Sequence, residues 1–221
     1  MTSVKIEYVT MIFNTKKQKV VALDNINLKF KGPNIIAIVG PNGSGKTTLI
    51  KIISGIIIPT KGRVLINNKS IIKSRCDIMH LMGVLLPDVR GFFWRLSVYD
   101  NLRLYATLYN VNNFDDRLGS VINLIDFEKE LLYKKFQECS SGERKKVAII
   151  RALIHNPDIL VLDEPLLHLD TYTKKKMAGF LTNSNKLIIY TASDERDIIE
   201  NTNTIVYINK GKIMRIHTLN I

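Results

Sequence analysis

Apolar and polar positions divide the chain into recognisable elements. Residues 35–39 form an unbroken run of small and β-branched apolar residues, the pattern of a strand buried on both faces, and residues 49–53 continue downstream with helical character. Ahead of this run, residues 4–9 alternate apolar with polar, residues 14–19 are polar and lysine-rich, and residues 20–30 resume with Ile26, Leu28 and Phe30 on one face. That pattern predicts an antiparallel meander. Gly55 and Pro59 close the helix after the buried run, and residues 62–68 read as a strand entering a turn, followed by a mixed apolar stretch at 71–86. The clearest helix is 97–111, where Ser97 and Asp100 resemble a capping box and Val98, Leu102, Tyr105, Leu108 and Tyr109 keep helical spacing. Leu118, Val121, Ile122 and Ile125 mark another. A further helix opens at residues 139–143 and runs to about His155, with Pro157 beyond it. Residues 159–162 have the buried-strand pattern and end abruptly in Asp163 and Glu164, residues 186–191 form another apolar strand, and residues 205–216 read as a hairpin around Asn209, Lys210 and Gly211.

The joint between the buried strand and its helix carries the chemistry. Gly40, Pro41, Asn42, Gly43, Ser44, Gly45, Lys46, Thr47 and Thr48 complete the pattern G-x-x-x-x-G-K-[ST] in strand–loop–helix context. The glycines remove the Cβ atoms that would keep backbone N–H groups from closing round a polyphosphate, and the helix N-terminus adds free donors and the positive end of its dipole. Lys46 supplies a point charge to the β- and γ-phosphates, and the Thr47 hydroxyl is placed to ligate Mg²⁺. Two carboxylates at the carboxyl end of a parallel strand lie where α/β sheets bind ligands. Asp163 suits a role as Mg²⁺ partner and Glu164 a role in polarising an attacking water. Ser140 with Glu143 reads locally as a capping box, and equally as a second phosphate-facing helix start.

Bulk properties bound the answer. A chain of 221 residues fits one large domain, and the two cysteines, Cys76 and Cys139, lie too far apart in sequence to suggest a disulfide framework, which favours a reducing cytosolic compartment. No apolar run approaches the roughly 18 residues of a membrane span, and no apolar signal core stands at the start. The net charge of +12 favours anionic partners such as nucleotide, anionic lipid or nucleic acid. It is dispersed in short clusters, among them Arg144, Lys145 and Lys146, and Lys174, Lys175 and Lys176, each reading as solvated surface. Phe13, beside the lysine-rich turn, serves equally as strand packing or as a stacking face for adenine. The aromatic cluster Phe92, Phe93, Trp94 reads as core or as a surface receiving a partner's helix.

Together these motifs, in this order, resemble the ATP-binding subunit of ATP-binding cassette (ABC) transporters over essentially the full length. The resemblance implies an α/β fold with a P-loop NTPase (RecA-like) core, an N-terminal antiparallel β subdomain and an inserted helical subdomain near residues 86–156, all in one domain spanning 1–221. It also implies ATP and Mg²⁺ as ligands, a second cassette as homo- or heterodimer partner, a separate membrane-spanning permease subunit, and a place on the cytoplasmic face of the cell membrane. Residue by residue, Phe13 matches the adenine-stacking aromatic, the loop from Gly40 to Thr47 the Walker A motif, Asp163 the end of Walker B, and Glu164 the catalytic carboxylate. Ser140, Ser141, Gly142 and Glu143 match the signature that contacts the partner's ATP, with Ser141 replacing a glycine, Glu143 a glutamine, and Cys139 the preceding leucine. Leu167, His168, Leu169 and Asp170 match the D-loop at the dimer interface. Two departures stand out. No glutamine lies between Gly83 and Ser97, so Pro87 or Asp88 holds the Q-loop position, with Asp88 as a candidate metal contact; and Ser193 stands where the family has its switch histidine. Slow hydrolysis is expected. The segment from Phe92 to Leu102 looks like that of ABC-2 type exporters, where this region forms the groove for the permease. Two other classes compete: a regulatory nucleotide-binding cassette suggested by Ser193, and a nucleic-acid- or translation-associated cassette suggested only by the charge. Relatives of the latter class carry a long coiled coil or a second cassette, and neither feature is present in this sequence.

Overall fold

The computed structural model of the chain describes residues 2–14, 18–87 and 91–219. The predicted meander is a pair of long antiparallel strands, β1 (Ser3–Asn14) and β2 (Lys19–Lys31). β1 also pairs with β4 (Lys61–Ile66), which turns through Asn67 and Asn68, both left-handed, into the short β5 (Lys69–Ser70). Among the described residues these make a four-stranded sheet in the order β2-β1-β4-β5.

The second sheet sets the site. It contains β3 (Asn34–Val39), β6 (Met82–Leu85), β7 (Ile159–Leu162), β8 (Leu187–Ala192), β9 (Thr204–Asn209) and β10 (Lys212–Thr218), in the order β10-β9-β3-β8-β7-β6. From β9 to β6 all neighbours are parallel; only β10 runs back, closing the predicted hairpin. β8 pairs with β3 on one side and β7 on the other, with Val39 opposite Ala192 and Leu162 opposite Tyr190. The carboxyl ends of β3, β7 and β8 therefore open on one edge of the sheet, and whatever follows Val39, Leu162 and Ala192 in sequence meets there.

Each central strand is buried on both faces, and the pleat sends alternate residues to two different cores. Ile35, Ala37 and Val39, with Leu160, Leu162 and Tyr190, join a core under the helices α3 (Val98–Leu108), α4 (Phe114–Leu124), α5 (Ser141–Leu153) and α6 (Thr171–Asn183). Ile36 and Ile38, with Val161 and Ile189, face the opposite core, filled by α1 (Lys46–Ile53) and by Ile6, Leu23 and Ile26 of the antiparallel sheet. The helical segment enters between β6 and β7 in sequence.

Caps explain where the helices start. Ser97 Oγ accepts the Asp100 N–H at 3.0 Å and donates its own proton to the Asp100 carboxylate, so only one arm of a capping box forms there. At Ser140 both arms are present: Ser140 Oγ accepts the Glu143 N–H at 3.2 Å, and the Ser140 N–H donates to Glu143 Oε2 at 2.7 Å. Lys134 Nζ at 3.0 Å holds the same carboxylate. A short helix, α2 (Arg75–Met79), and the strand β6 occupy the mixed apolar stretch at 71–86, and α6 has no counterpart in the sequence reading.

Candidate functional site

The loop after β3 turns on residues with unusual backbones. Gly43 and Gly45 have φ of 78° and 107°, and a Cβ on Gly45 would lie 2.6 Å from the Ala22 carbonyl. Gly40 is tighter still, with Ile208 O 2.1 Å from where its Cβ would be. The β9–β10 turn locks the loop from the side: the Gly211 N–H donates to Ser44 O at 2.9 Å, and Gly211 O accepts from the Asp24 N–H at 2.8 Å. A cavity of about 530 Å³ opens over the loop, lined by Asn42, Gly43, Gly45, Lys46, Thr47 and Thr48, with Val20, Val21, Ala22, Glu164, Lys210 and Gly211.

Within it Lys46 is buried, and its ammonium donates to the loop's own carbonyls, Gly40 O at 2.7 Å and Pro41 O at 3.2 Å. Desolvation lowers its pKa, while the charges of Glu164 and Asp163 pull the other way. The Ser44 hydroxyl is buried without a partner.

Asp163 and Glu164 follow β7 at the same edge. Asp163 is fully buried; Thr191 Oγ1 donates to its Oδ1, and its Oδ2 has no partner. Thr191 Oγ1 in turn accepts the Glu164 N–H at 2.9 Å. Glu164 has φ of 46°, a left-handed conformation costing a non-glycine residue about 1–2 kcal/mol. Lys145, buried in α5, donates from Nζ to the Glu164 carbonyl at 3.0 Å. Burial lowers the Lys145 pKa, opposed by the attraction of Asp163 and Glu164. On the far side, the Ser193 hydroxyl donates to Glu164 Oε1, and Asn42 Oδ1 lies 3.2 Å from it. A smaller cavity of about 150 Å³ lies between Ser193, Glu164, Tyr190 and Asp197.

The remaining expected site residues sit elsewhere. Phe13 is 39% exposed and opposite Val20 in the β1–β2 register, but it does not line the loop cavity. Ser140, Ser141, Gly142 and Glu143 form the start of α5, with Ser140 and Ser141 exposed, and do not line the cavity either. Leu167 and His168 are exposed, His168 with φ of 64°; Leu169 is buried; and Asp170 caps α6 by accepting the Thr173 N–H at 2.9 Å and its hydroxyl at 2.6 Å, which holds its pKa down to about 2. Asp88 lies outside the described residues, as do Lys16 and Lys17. Sequence reasoning missed Thr191 and Lys145, whose roles arise from which strand and helix lie beside Glu164.

The residues fit a nucleoside triphosphate with a divalent cation. The buried Lys46 ammonium and the partnerless Ser44 hydroxyl belong to a glycine loop that opens a helix, and Asp163, whose Oδ2 has no partner, follows β7 at the same sheet edge. Among the described residues no cluster of three His, Cys, Asp or Glu side chains could hold a metal alone. A cation here suits Mg²⁺, which binds through one or two protein oxygens plus phosphate and water.

Comparison with known proteins agrees. A family model described as ABC transporter matches residues 23–167. The chain is 27% identical over 210 residues to the ABC transporter ATP-binding protein NatA of Bacillus subtilis, covering 91% of this chain and 84% of that protein. It is 31% identical over 225 residues to the spermidine/putrescine import ATP-binding protein PotA of Desulfitobacterium hafniense, covering 95% of this chain and 62% of that relative, so it spans somewhat less than two thirds of the PotA length. Among solved structures, the dimeric ATP-binding cassette MJ0796 in a post-hydrolysis state bound to ADP and Pi superposes with a TM-score of 0.89 at 25% identity, over 98% of this chain and 99% of that one. With the loop, the carboxylates and the parallel sheet in this arrangement, the chain belongs to the ABC transporter family as an ATP-binding cassette.

Proposed function

We propose that this chain binds and hydrolyses ATP as the energising subunit of a transporter, working as a dimer of cassettes on a separate membrane-spanning permease. The observation that carries this reading is the convergence at one sheet edge of the Gly40–Thr48 loop, the buried Asp163 and the left-handed Glu164. Lys46 and the loop N–H groups bind the phosphates, Thr47 and Asp163 hold Mg²⁺, and Glu164 orients and deprotonates the attacking water. When bound, Mg²⁺ neutralises charge on the phosphate oxygens. Phe13 stacks on adenine at the outer rim, supported by its exposure beside Val20.

Ser140, Ser141, Gly142 and Glu143, the first two exposed and all four outside this chain's own cavity, are read as contacting the partner's ATP, with Leu167, His168, Leu169 and Asp170 at the interface between cassettes. The family's dimeric solved relative supports that arrangement. We read residues 1–221 as one cassette domain, with residues 86–156 as its helical subdomain.

A groove of about 500 Å³ between the end of α1, α2, β6 and α5 supports a permease seat, with an apolar floor including Ile56, Met79 and Leu86 and a basic rim of Lys51 and Arg75. Phe93 and Trp94 are 55% and 49% exposed, and Trp94 is braced by Arg144, whose guanidinium lies 4.6 Å over its ring. Among the described residues no helix is long and apolar enough to cross a membrane; the place on the cytoplasmic face of the membrane rests on the reading of a separate permease. The exporter direction rests on the segment from Phe92 to Leu102; relatives such as PotA are import proteins by name.

Purified chain tested with Mg-ATP decides the reading. Wild type should bind ATP and release phosphate, and Lys46→Ala should abolish both; Lys46→Ala protein that binds ATP at full affinity refutes the site. Replacing Phe93 and Trp94 by alanine should release the chain from its permease in co-purification.

A further inference from the structure

A lysine ammonium is rarely sealed from water without strong partners. Lys145, in the second turn of α5, is 9% exposed, and its Nζ donates to the backbone carbonyl of Glu164 at 3.0 Å, nineteen residues away in sequence. That carbonyl belongs to a residue with φ of 46°, outside the regions favoured by side chains with a Cβ. The N–H of the same residue is held from the opposite direction by Thr191 Oγ1 at 2.9 Å. Glu164 is thus gripped on both flanks, its N–H by β8 and its C=O by α5. Released from the α5 side, the backbone would relax toward extended or right-handed angles, and its Cα–Cβ bond would swing the carboxylate off Ser193.

We propose that Lys145 is a positioning residue for hydrolysis: its ammonium fixes the left-handed turn at Glu164, and so makes the aim of the carboxylate depend on the placement of the helix that begins at Ser140. The attraction of Asp163 and Glu164 for the buried ammonium works in the same direction. Because Ser140 and Ser141 open that helix, the link runs from a surface read as facing the partner's nucleotide to this chain's own carboxylate. This proposal rests on the reading of Glu164 as the group that activates water.

The test uses the full chain with Lys145→Met, which keeps the length of the side chain and removes the donor, beside Lys145→Arg. Three quantities are read: hydrogen–deuterium exchange of amides in residues 163–167, the Kd for ATP, and kcat and KM for Mg-ATP turnover. The expected result for Lys145→Met is exchange at 163–167 faster by about tenfold or more, kcat lower by roughly 10–100-fold, and Kd and KM within about twofold of wild type. Lys145→Arg should recover most of the lost kcat. In a Glu164→Gln background, Lys145→Met should remove nothing further, since both changes act on one group. Unchanged exchange at 163–167 overturns the proposal, as does faster exchange with unchanged kcat, an additive loss in the Glu164→Gln background, or a loss of ATP affinity equal to the loss of kcat. Should Lys145→Met not fold, Lys145→Leu, which also lacks a donor, carries the same comparison. If wild type itself binds ATP and never releases phosphate, the hydrolysis reading fails, and the exchange measurement still decides whether Lys145 holds the Glu164 backbone.

Discussion

Replacing Thr191 by valine tests the hydrogen-bond relay beneath the site. Thr191 is 1% exposed, and its one hydroxyl serves two neighbours, accepting the Glu164 N–H and donating to Asp163 Oδ1. Valine fills nearly the same volume, so no cavity opens and the loss is polar. An N–H left without its acceptor costs about 1–3 kcal/mol, and a buried carboxylate losing a donor costs about 1.5–3 kcal/mol. Asp163 is least able to absorb the loss, because its Oδ2 already lacks a partner. The Glu164 N–H is only part-buried, so the low end of both ranges applies and a total of about 3 kcal/mol is expected. For a chain of this size each kcal/mol lowers Tm by roughly 2–4 °C, so Thr191→Val should melt about 6–12 °C below wild type. Thr191→Ser keeps the hydroxyl and gives up a methyl group, a loss of about 1 kcal/mol and a shift of roughly 2–4 °C. Calorimetry of the three proteins without nucleotide separates the two contributions. If Thr191→Val and Thr191→Ser melt together, the relay through the hydroxyl contributes nothing and the account of Asp163 is wrong.

Wild-type hydrolysis should be slow, and Ser193→His, directed into the cavity beside Glu164, should raise kcat by about 10²-fold, the scale of one positioned transition-state hydrogen bond; turnover at ordinary transporter rates that survives both Ser193→Ala and His168→Ala would sink this expectation. His155 is stacked on Tyr109 at 4.0 Å, with Nε2 held 3.1 Å from the Met82 carbonyl, and burial pushes its pKa down to about 4. A group with a depressed folded-state pKa contributes stability that is present above about pH 6.5 and lost between there and about pH 4, a loss of up to about 3 kcal/mol. Urea unfolding from pH 7 to pH 4.5 should show that slope in wild type, and His155→Gln should flatten it. Gly211→Ala places a Cβ 2.6 Å from the Ala22 carbonyl at a φ of 74°, loosening the clamp on Ser44. Strain of about 1–2 kcal/mol transmitted to the loop should weaken ATP binding about tenfold in titration calorimetry, and undiminished affinity would show that the hairpin does not brace the loop.

What was legible in the sequence is what local chemistry specifies. The β3 run, the glycine loop, both serine helix starts and the hairpin at Gly211 each carry their cause within a few residues. The α6 helix does not: only Thr173, Met177 and Leu181 of it are buried, a single narrow stripe interrupted by Lys174, Lys175 and Lys176. The strand β6 is four residues inside a stretch with no clear period, and it exists because β7 offers it an edge. Lys145 shows the limit most plainly. In sequence it sits in a basic cluster with Arg144 and Lys146 and reads as solvated surface, yet it is the member that α5 turns inward. The helical spacing carried that signal, since Ala148 and Ile149, three and four residues on, are both buried. Which group the ammonium would meet was not legible, because β7 approaches from another part of the chain.

The geometry also gives a reason to expect binding and turnover to separate in this protein. The groups read as holding the phosphates are close together in sequence: Gly43, Gly45, Lys46 and Thr47 line the loop cavity, and Asp163, whose Oδ2 is without a partner, follows β7 at the same sheet edge. The turnover half hangs on side chains that reach that edge from several elements. Glu164 takes its backbone angle from α5 and β8, and its carboxylate accepts a hydrogen bond from the Ser193 hydroxyl. A serine hydroxyl ties the carboxylate down and is then spent, because its single proton cannot also point at a phosphate oxygen. An imidazole at that position carries two nitrogens on a longer arm and can address both partners. Serine at this position is therefore expected to leave ATP affinity intact and to slow the chemical step, and single-turnover measurements should find phosphate release slow from a chain that is already saturated with nucleotide.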